Sequence, residues 1–119
     1  MYPPVFQTVA TDPAVQAVLG IAPVRVFPFG QAPDEVAMPY CVWQTVSGVP
    51  ANYLGNTPDM DEWLVQFDVY AETASSARGA AEALRDAIEE VVYITAWRGE
   101  SKEGGVYRYS FDANFISQR

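Results

Sequence analysis

Residues 60–71, MDEWLVQFDVYA, contain the alternation that decides the fold. The apolar positions of this segment fall on every second residue: Trp63, Val65, Phe67 and Val69. The positions between them carry Glu62, Gln66 and Asp68. Because successive side chains of a strand point to opposite faces, this pattern predicts a strand with one buried face. Leu64 and Tyr70 interrupt the polar set, and together with Tyr40 they favour partial coverage of that face by a partner.

The period changes in the next segment, residues 75–91, SSARGAAEALRDAIEEV. Its apolar residues recur at three and four, as in a helix with one buried stripe: Ala77, Ala80, Ala81, Leu84, Ala87, Ile88 and Val91. The opposite side carries four charged residues that are spaced for i,i+4 ion pairs: Arg78, Glu82, Arg85 and Glu89. The alanine-rich stripe predicts a helix that packs closely on a sheet.

The rest of the chain supplies further strands on either side of these two segments. We expect one or two short helices over about residues 3–19, and strands at 24–29, 40–47, 93–98 and from 107 onward. Thr11 or Asp12 is the expected helix cap before Pro13, Gly20 is the expected stop, and Pro28 predicts an edge strand or a bulge. The order predicts one α+β domain, residues 1–119, with a mainly antiparallel or mixed sheet of four to five strands and helices packed on one face.

The connections contain one unusual stretch. Residues 30–38 and 99–105 are expected to be loops, and residues 47–61 a long exposed loop or a distorted hairpin tip. Long loops in small domains commonly have a function, so this stretch is the candidate protein interface. The candidate interface residues are Gly48, Pro50, Asn52, Tyr53, Leu54, Gly55, Asp59 and Asp61.

Composition excludes several functional classes. The 119 residues include 15 acidic and 7 basic side chains, a formal net charge of −8, and no histidine. Without histidine there is no Ser-His-Asp or Cys-His catalysis and no His-ligated zinc. Cys41, the only cysteine, lies in an apolar run and is expected to be a buried hydrophobe. We expect no catalytic residues, no cofactor and no metal.

The charge composition and the distribution of apolar residues also limit the partners and the location of the protein. Sequence-specific nucleic-acid binding needs clustered basic residues, and Lys102 is the only lysine of this acidic chain. The N-terminus lacks the basic and apolar regions of a secretory signal, and no apolar run approaches membrane-spanning length. The sequence therefore predicts a protein that stays in the cytoplasm where it is made, with no membrane partner.

Two groups of carboxylates could have either a functional or a purely structural role. Asp59, Asp61 and Glu62 lie close together, but Trp63 and Leu64 stand where a calcium loop needs oxygen ligands and glycine, which favours a solvated strand entry or a contact with a basic protein. Asp68 and Asp112 fall on the polar face of nearby strands, as a pair of catalytic carboxylates would. Arg108 on that face favours an ordinary cross-strand ion pair instead.

Several segments, taken in their order along the chain, resemble those of a known protein family. They are RVFPFGQAP at residues 25–33, PYCVWQTVSG at 39–48, Pro50, Asn52 and Leu54, QFDVY at 66–70, the alanine-rich helix, and YRYSFD at 107–112. Together they resemble the tail completion proteins of long-tailed bacteriophages and prophages, also called tail terminator or tail-to-head joining proteins. The similarity covers nearly the whole chain, and its evidence is the ordered set rather than any single motif.

The resemblance implies a structural virion protein of the tail with no catalytic residues. It implies a homo-oligomeric ring, expected to be a hexamer, which caps the tail tube, ends polymerisation of the tube protein and presents a surface to the head-tail connector. Assembly would take place in the host cytoplasm, and DNA would pass through an acidic channel without specific binding, because like charges repel.

Two other classes remain open from the residues alone. An acidic binding or inhibitor module of the immunity type would use the same charge to dock a basic partner. A histidine-free hydrolase would use Asp68, Asp112 or the Asp59 cluster, and would need carboxyl pKa values raised in a closed pocket.

Overall fold

The computed structural model describes residues 5–21, 24–53, 56–89 and 93–118, and within them the predicted order of elements is confirmed. Two short helices come first, then three strands, a long helix and two strands. Their bounds are α1 Val5–Val9, α2 Pro13–Leu19, β1 Val26–Pro28, β2 Tyr40–Tyr53, β3 Asn56–Ala71, α3 Ala74–Glu89, β4 Tyr93–Glu103 and β5 Val106–Gln118.

The strands form one five-stranded mixed sheet in the order β1-β2-β3-β5-β4. Strand β1 pairs with β2 in parallel, whereas the β2–β3, β3–β5 and β4–β5 pairs are antiparallel. The α+β prediction is therefore confirmed, including the edge position of the strand that contains Pro28. Because consecutive antiparallel strands need only short turns, β2–β3 and β4–β5 are hairpins.

All three helices contribute to a core on one face of the sheet. Val5, Leu19 and Leu84 from the helices cluster with the buried side chains of the strands. The rings of Phe67 and Phe111 stack with centroids 4.9 Å apart. This is the face that the alternation of residues 60–71 predicts, so the phase of β3 is confirmed.

Local signals set the ends of α2. The Asp12 carboxylate accepts hydrogen bonds from the backbone N–H groups of Ala14 (2.9 Å) and Val15 (3.2 Å), which satisfies two donors that a helix start leaves unpaired. Pro13 occupies the first turn and Gly20, with φ 88°, ends the helix. Across the described residues, no helix combines the length and apolar content needed to cross a membrane.

Of the two expectations for residues 47–61, a long exposed loop or a distorted hairpin tip, the structure has the distorted hairpin. The β2–β3 ladder continues to the pair Tyr53–Asn56, with register shifts between Thr45 and Ser47 and between Ala51 and Tyr53. Leu54 and Gly55 lie outside the described residues. We call residues 47–53 and 56–61 the hairpin arm. Among the described residues, β5 pairs with β3 as far as Met60, so residues 56–59 lie beyond that pairing. Residues that usually form turns fit into these strands because the ladder has two register shifts, and a bulge accommodates a residue that does not pair.

The expected loop at residues 99–105 is also mostly strand. Strand β4 continues to Glu103, and the turn consists of Gly104 and Gly105, with φ values of 59° and 82°. Gly99 has φ 109° and lies at a register shift within β4. The sequence predicts a loop start at this glycine, but the glycine marks a bulge inside a strand. The predicted strand at 24–29 is shorter than expected, and α3 ends at Glu89, with Val91 outside the described residues.

Candidate functional site

The sheet face opposite the helices carries three rows of side chains, each contributed by β2, β3 and β5. The rows follow from the register and are Tyr40–Tyr70–Arg108, Val42–Asp68–Ser110 and Gln44–Gln66–Asp112. The two aromatic rings of the first row stack with centroids 5.1 Å apart. Asp68, Ser110 and Asp112 are nearly inaccessible to solvent, although none of the helices in the described part of the chain packs on this face.

Hydrogen bonds account for the burial of Asp68. The Ser110 hydroxyl donates to Asp68 Oδ1 at 2.5 Å, and Gln66 Nε2 donates to both oxygens at 3.2 and 3.3 Å. Arg108 Nε donates to Ser110 Oγ at 3.2 Å and lies 3.6 Å from Asp68 Oδ1. The predicted cross-strand ion pair is confirmed. A carboxylate held by three neighbours acts as the centre of a structural network, since buried polar groups must be paired.

This network also perturbs neighbouring ionisable groups. Burial, followed by the negative charge of Asp68, raises the pKa of Tyr70, while Arg108 lowers it. Burial and then the charge of Asp68 also raise the pKa of the Cys41 thiol. The expectation of a buried Cys41 is confirmed. A raised pKa keeps the thiol in its protonated form, and the thiolate is the nucleophilic form of cysteine. Among the described residues, no three His, Cys, Asp or Glu side chains converge as metal ligands do.

The candidate interface residues are distributed over the hairpin arm. Gly48, Pro50, Asn52 and Tyr53 belong to β2, and Asp59 and Asp61 belong to β3. The ladder brings the two strands of the arm side by side, with Pro50 opposite Asp61. Leu54 and Gly55 fall outside the described residues.

A groove between α3 and the β4–β5 hairpin is a feature that the sequence did not reveal. We call it the α3–β4 groove; it has a volume of about 310 Å³ and is lined by Ala74, Ala77, Arg78, Glu100, Ser101, Lys102, Tyr107 and Arg108. Three of these side chains are cationic and one is a carboxylate. Arg78 pairs with Glu100 and Arg108 lies 3.6 Å from Asp68 Oδ1, so the net positive charge of the groove comes from Lys102.

Ion pairing in the groove differs from the sequence expectation. Arg78 was expected to pair along the helix with Glu82, but its guanidinium donates to both carboxylate oxygens of Glu100 on β4. This bidentate hydrogen bond lowers the pKa of Glu100 and raises that of Arg78. The second predicted pair, Arg85–Glu89, is present at 3.8 Å. The spacing along a helix cannot reveal a competing partner that the fold brings from another strand.

Comparisons with known proteins agree with this architecture. A chain of the solved structure described as "Virion of native gene transfer agent (GTA) particle" has the same fold, with a TM-score of 0.70 and 16% sequence identity. The match covers 97% of this chain and 92% of that one. A search of curated protein sequences gave no match. The fold is therefore one that a phage-like virion uses.

A family model identifies the protein more closely. The model described as tail completion protein gp17 matches residues 3–106, which is most of the chain. The chain therefore belongs to the tail completion protein gp17 family and is a structural protein of a phage tail. The family resemblance noted from the sequence is confirmed.

Proposed function

We propose that the protein caps the tail tube as a homo-oligomeric ring, expected to be a hexamer. In that position it ends polymerisation of the tail tube protein and provides the surface to which the head-tail connector joins. The observation that carries this proposal is the match to the tail completion family over residues 3–106. Assembly takes place in the host cytoplasm, and the protein has no membrane partner.

The shape of the subunit supports a role for the hairpin arm in assembly. The molecule is elongated, with extents of 53 × 27 × 25 Å. In the arm, residues 56–59 of β3 precede the pairing with β5, so this end of the hairpin is a two-stranded ribbon. Isolated two-stranded ribbons are marginally stable in water, and a contact with another protein stabilises them. We therefore assign contact with a neighbouring subunit or the tail tube to Gly48, Pro50, Asn52, Tyr53, Leu54, Gly55, Asp59 and Asp61.

The charge of the chain supports passage of DNA through the ring. Each subunit adds a formal charge of −8, so a ring of several subunits has a strongly negative field. DNA phosphates are repelled by such a field and do not adsorb to the wall of a channel. The acidic chain thus fits a conduit through which DNA moves without specific binding.

The experiment shortens the hairpin arm. Residues 50–61 are replaced by Asn-Gly, which connects Val49 to Glu62, a pair that already lies opposite in the ladder. Asn-Gly forms the two-residue turn that matches the twist of hairpins, so the rest of the sheet folds. The variant is produced in a host that carries the parent phage with its own copy of the gene inactivated.

We expect the shortened protein to be folded by circular dichroism but to give no infectious particles, whereas the unaltered protein restores them. The matched control is Gly104→Asn in the β4–β5 turn, where Gly104 and Gly105 both have positive φ values, a conformation that Asn tolerates. This control is expected to restore infectivity. Normal plating by the shortened variant would contradict the assignment of the arm to assembly.

A further inference from the structure

We propose that the β1–β2 loop, residues 29–39, docks into the α3–β4 groove of a second copy of this chain. This inference rests on the proposed ring, because it names the two surfaces through which neighbouring subunits meet. It differs from the assignment of the hairpin arm, since neither surface includes any residue of that arm.

The groove offers a small apolar floor with a cationic rim. Ala74, Ala77 and the Tyr107 ring supply the apolar part. The ammonium group of Lys102 lies 5.1 Å from the centroid of that ring, which holds the cation at the rim. Arg78 uses its Nε and Nη2 groups on Glu100, and a guanidinium has five N–H donors in all. The groove thus retains donors for an added carboxylate.

The β1–β2 loop has the complementary chemistry. Its sequence, FGQAPDEVAMP, contains two carboxylates and no basic residue. Asp34 and Glu35 are exposed. Phe29 is 71% exposed, a large exposure for an aromatic side chain, and Met38 is 36% exposed. An exposed aromatic ring close to carboxylates fits an apolar floor with a cationic rim, and Phe is a common anchor at the centre of interfaces.

The loop is also held in place before any partner binds. Gln31 N donates to Pro28 O at 3.0 Å at its start, and Arg25 Nε donates to Pro39 O at 2.9 Å at its end. A loop fixed at both ends loses little conformational freedom on docking. This favours a specific contact over a nonspecific one.

The positions of the two surfaces suit a ring. The strand order puts β1 at one edge of the sheet and β4 at the other, so the loop and the groove lie at opposite edges. Contact between two different surfaces of neighbouring copies is heterologous, and it closes into a ring when the rotation per subunit permits. Each subunit then offers its loop to one neighbour and its groove to the other.

The test uses two variants that each remove one side of the contact. The loop variant is Asp34→Lys with Glu35→Lys, and the groove variant is Ser101→Glu with Lys102→Glu; all four side chains are exposed. The control for the loop variant, Asp86→Lys with Glu89→Lys, makes the same change in net charge at exposed positions outside both surfaces. Folding of every variant is checked by circular dichroism.

Oligomeric state is measured by sedimentation velocity. The wild type and the control are expected to form rings, and each variant alone is expected to remain monomeric. A mixture of the two variants retains one intact contact, the loop of the groove variant in the groove of the loop variant. At the other contact the lysines introduced in the loop face the glutamates introduced in the groove, and this reversed pair of charges is again complementary. The mixture should therefore form rings that contain both variants in equal numbers, which native mass spectrometry identifies by mass.

Rings formed by either variant alone, a mixture that stays monomeric, or a wild type that stays monomeric at every concentration would overturn the docking. Failure of the proposed function gives a different result. If the wild-type protein forms rings through this contact but does not complement an inactivated tail gene, the docking proposal stands and the tail role is refuted. If both variants fully complement the inactivated gene, the proposed tail role stands and the docking proposal is refuted.

Discussion

Replacing Phe67 with Ala tests the structural basis of the sheet. Phe67 is fully buried, lies between Trp43 and Phe111 in the register, and stacks on Phe111 at 4.9 Å. A second ring, Phe115, is tilted against it at 6.1 Å. Removing a buried Phe side chain costs about 3–5 kcal/mol, and the cost is higher where the surroundings cannot collapse. Because paired strands on both sides hold the backbone, we expect about 4 kcal/mol.

The measurement is urea denaturation followed by tryptophan fluorescence, with the slope compared between variants to check that the transition remains two-state. The control is Gln66→Ala, the next residue, whose side chain lies on the opposite face and donates to Asp68. Loss of that hydrogen bond is expected to cost about 1 kcal/mol. Equal losses of unfolding free energy for the two variants would refute the assigned phase of β3 and the position of the core.

Two further predictions concern the ionisable groups around β3. Asp68→Ala leaves the buried Ser110 hydroxyl without its acceptor and should lower the free energy of unfolding by about 1–3 kcal/mol in urea titrations; a variant with unchanged stability would contradict the structural role of Asp68. The pKa of Cys41 is raised in the folded state, so its contribution to stability is complete below the ordinary thiol value of 9.0 and declines as the pH rises above it. We expect Cys41→Ala to remove a decline of about 1.4 kcal/mol per pH unit above pH 9, measured by urea titration; an identical decline in both proteins would contradict the burial of the thiol.

The strongest periodic signals in the sequence predicted the fold correctly. The alternation in residues 60–71 gave the buried face of β3, and the spacing of three and four gave α3. Asp12 and Pro13 predicted the start of α2 because capping depends on neighbouring residues only. Where structure depends on local chemistry, one sequence is sufficient.

The errors arose where long-range pairing overrides local composition. Pro50 and Pro58 indicated a loop, yet both lie in strands. Pro50 lies in a part of β2 beyond its pairing with β1, and Pro58 lies in a part of β3 beyond its pairing with β5. Within the described ranges, each proline therefore has a strand edge beside it. Proline is tolerated at strand edges because it removes no bond of an inner ladder. The sequence does not state which neighbours a strand will have.

The candidate surfaces show the same division. The hairpin arm was identified from composition, which left a loop or a distorted hairpin tip open; the ladder of β2 and β3 decides for the hairpin. The α3–β4 groove was missed because its residues come from two ends of the chain's second half, Ala74–Arg78 and Glu100–Arg108, and only the sheet brings them together. The contact of Arg78 with Glu100 across that groove leaves no signature in residue spacing.

The length of the tails tests the proposed function most directly. If the protein ends polymerisation as we propose, a tail that lacks it continues to grow, because nothing caps the last ring of the tube. Electron microscopy of particles from a host in which this gene is inactivated should therefore show tails of variable and excessive length without attached heads, and expression of the unaltered protein should restore one length. Tails of normal, uniform length joined to heads in the absence of the protein would contradict the account.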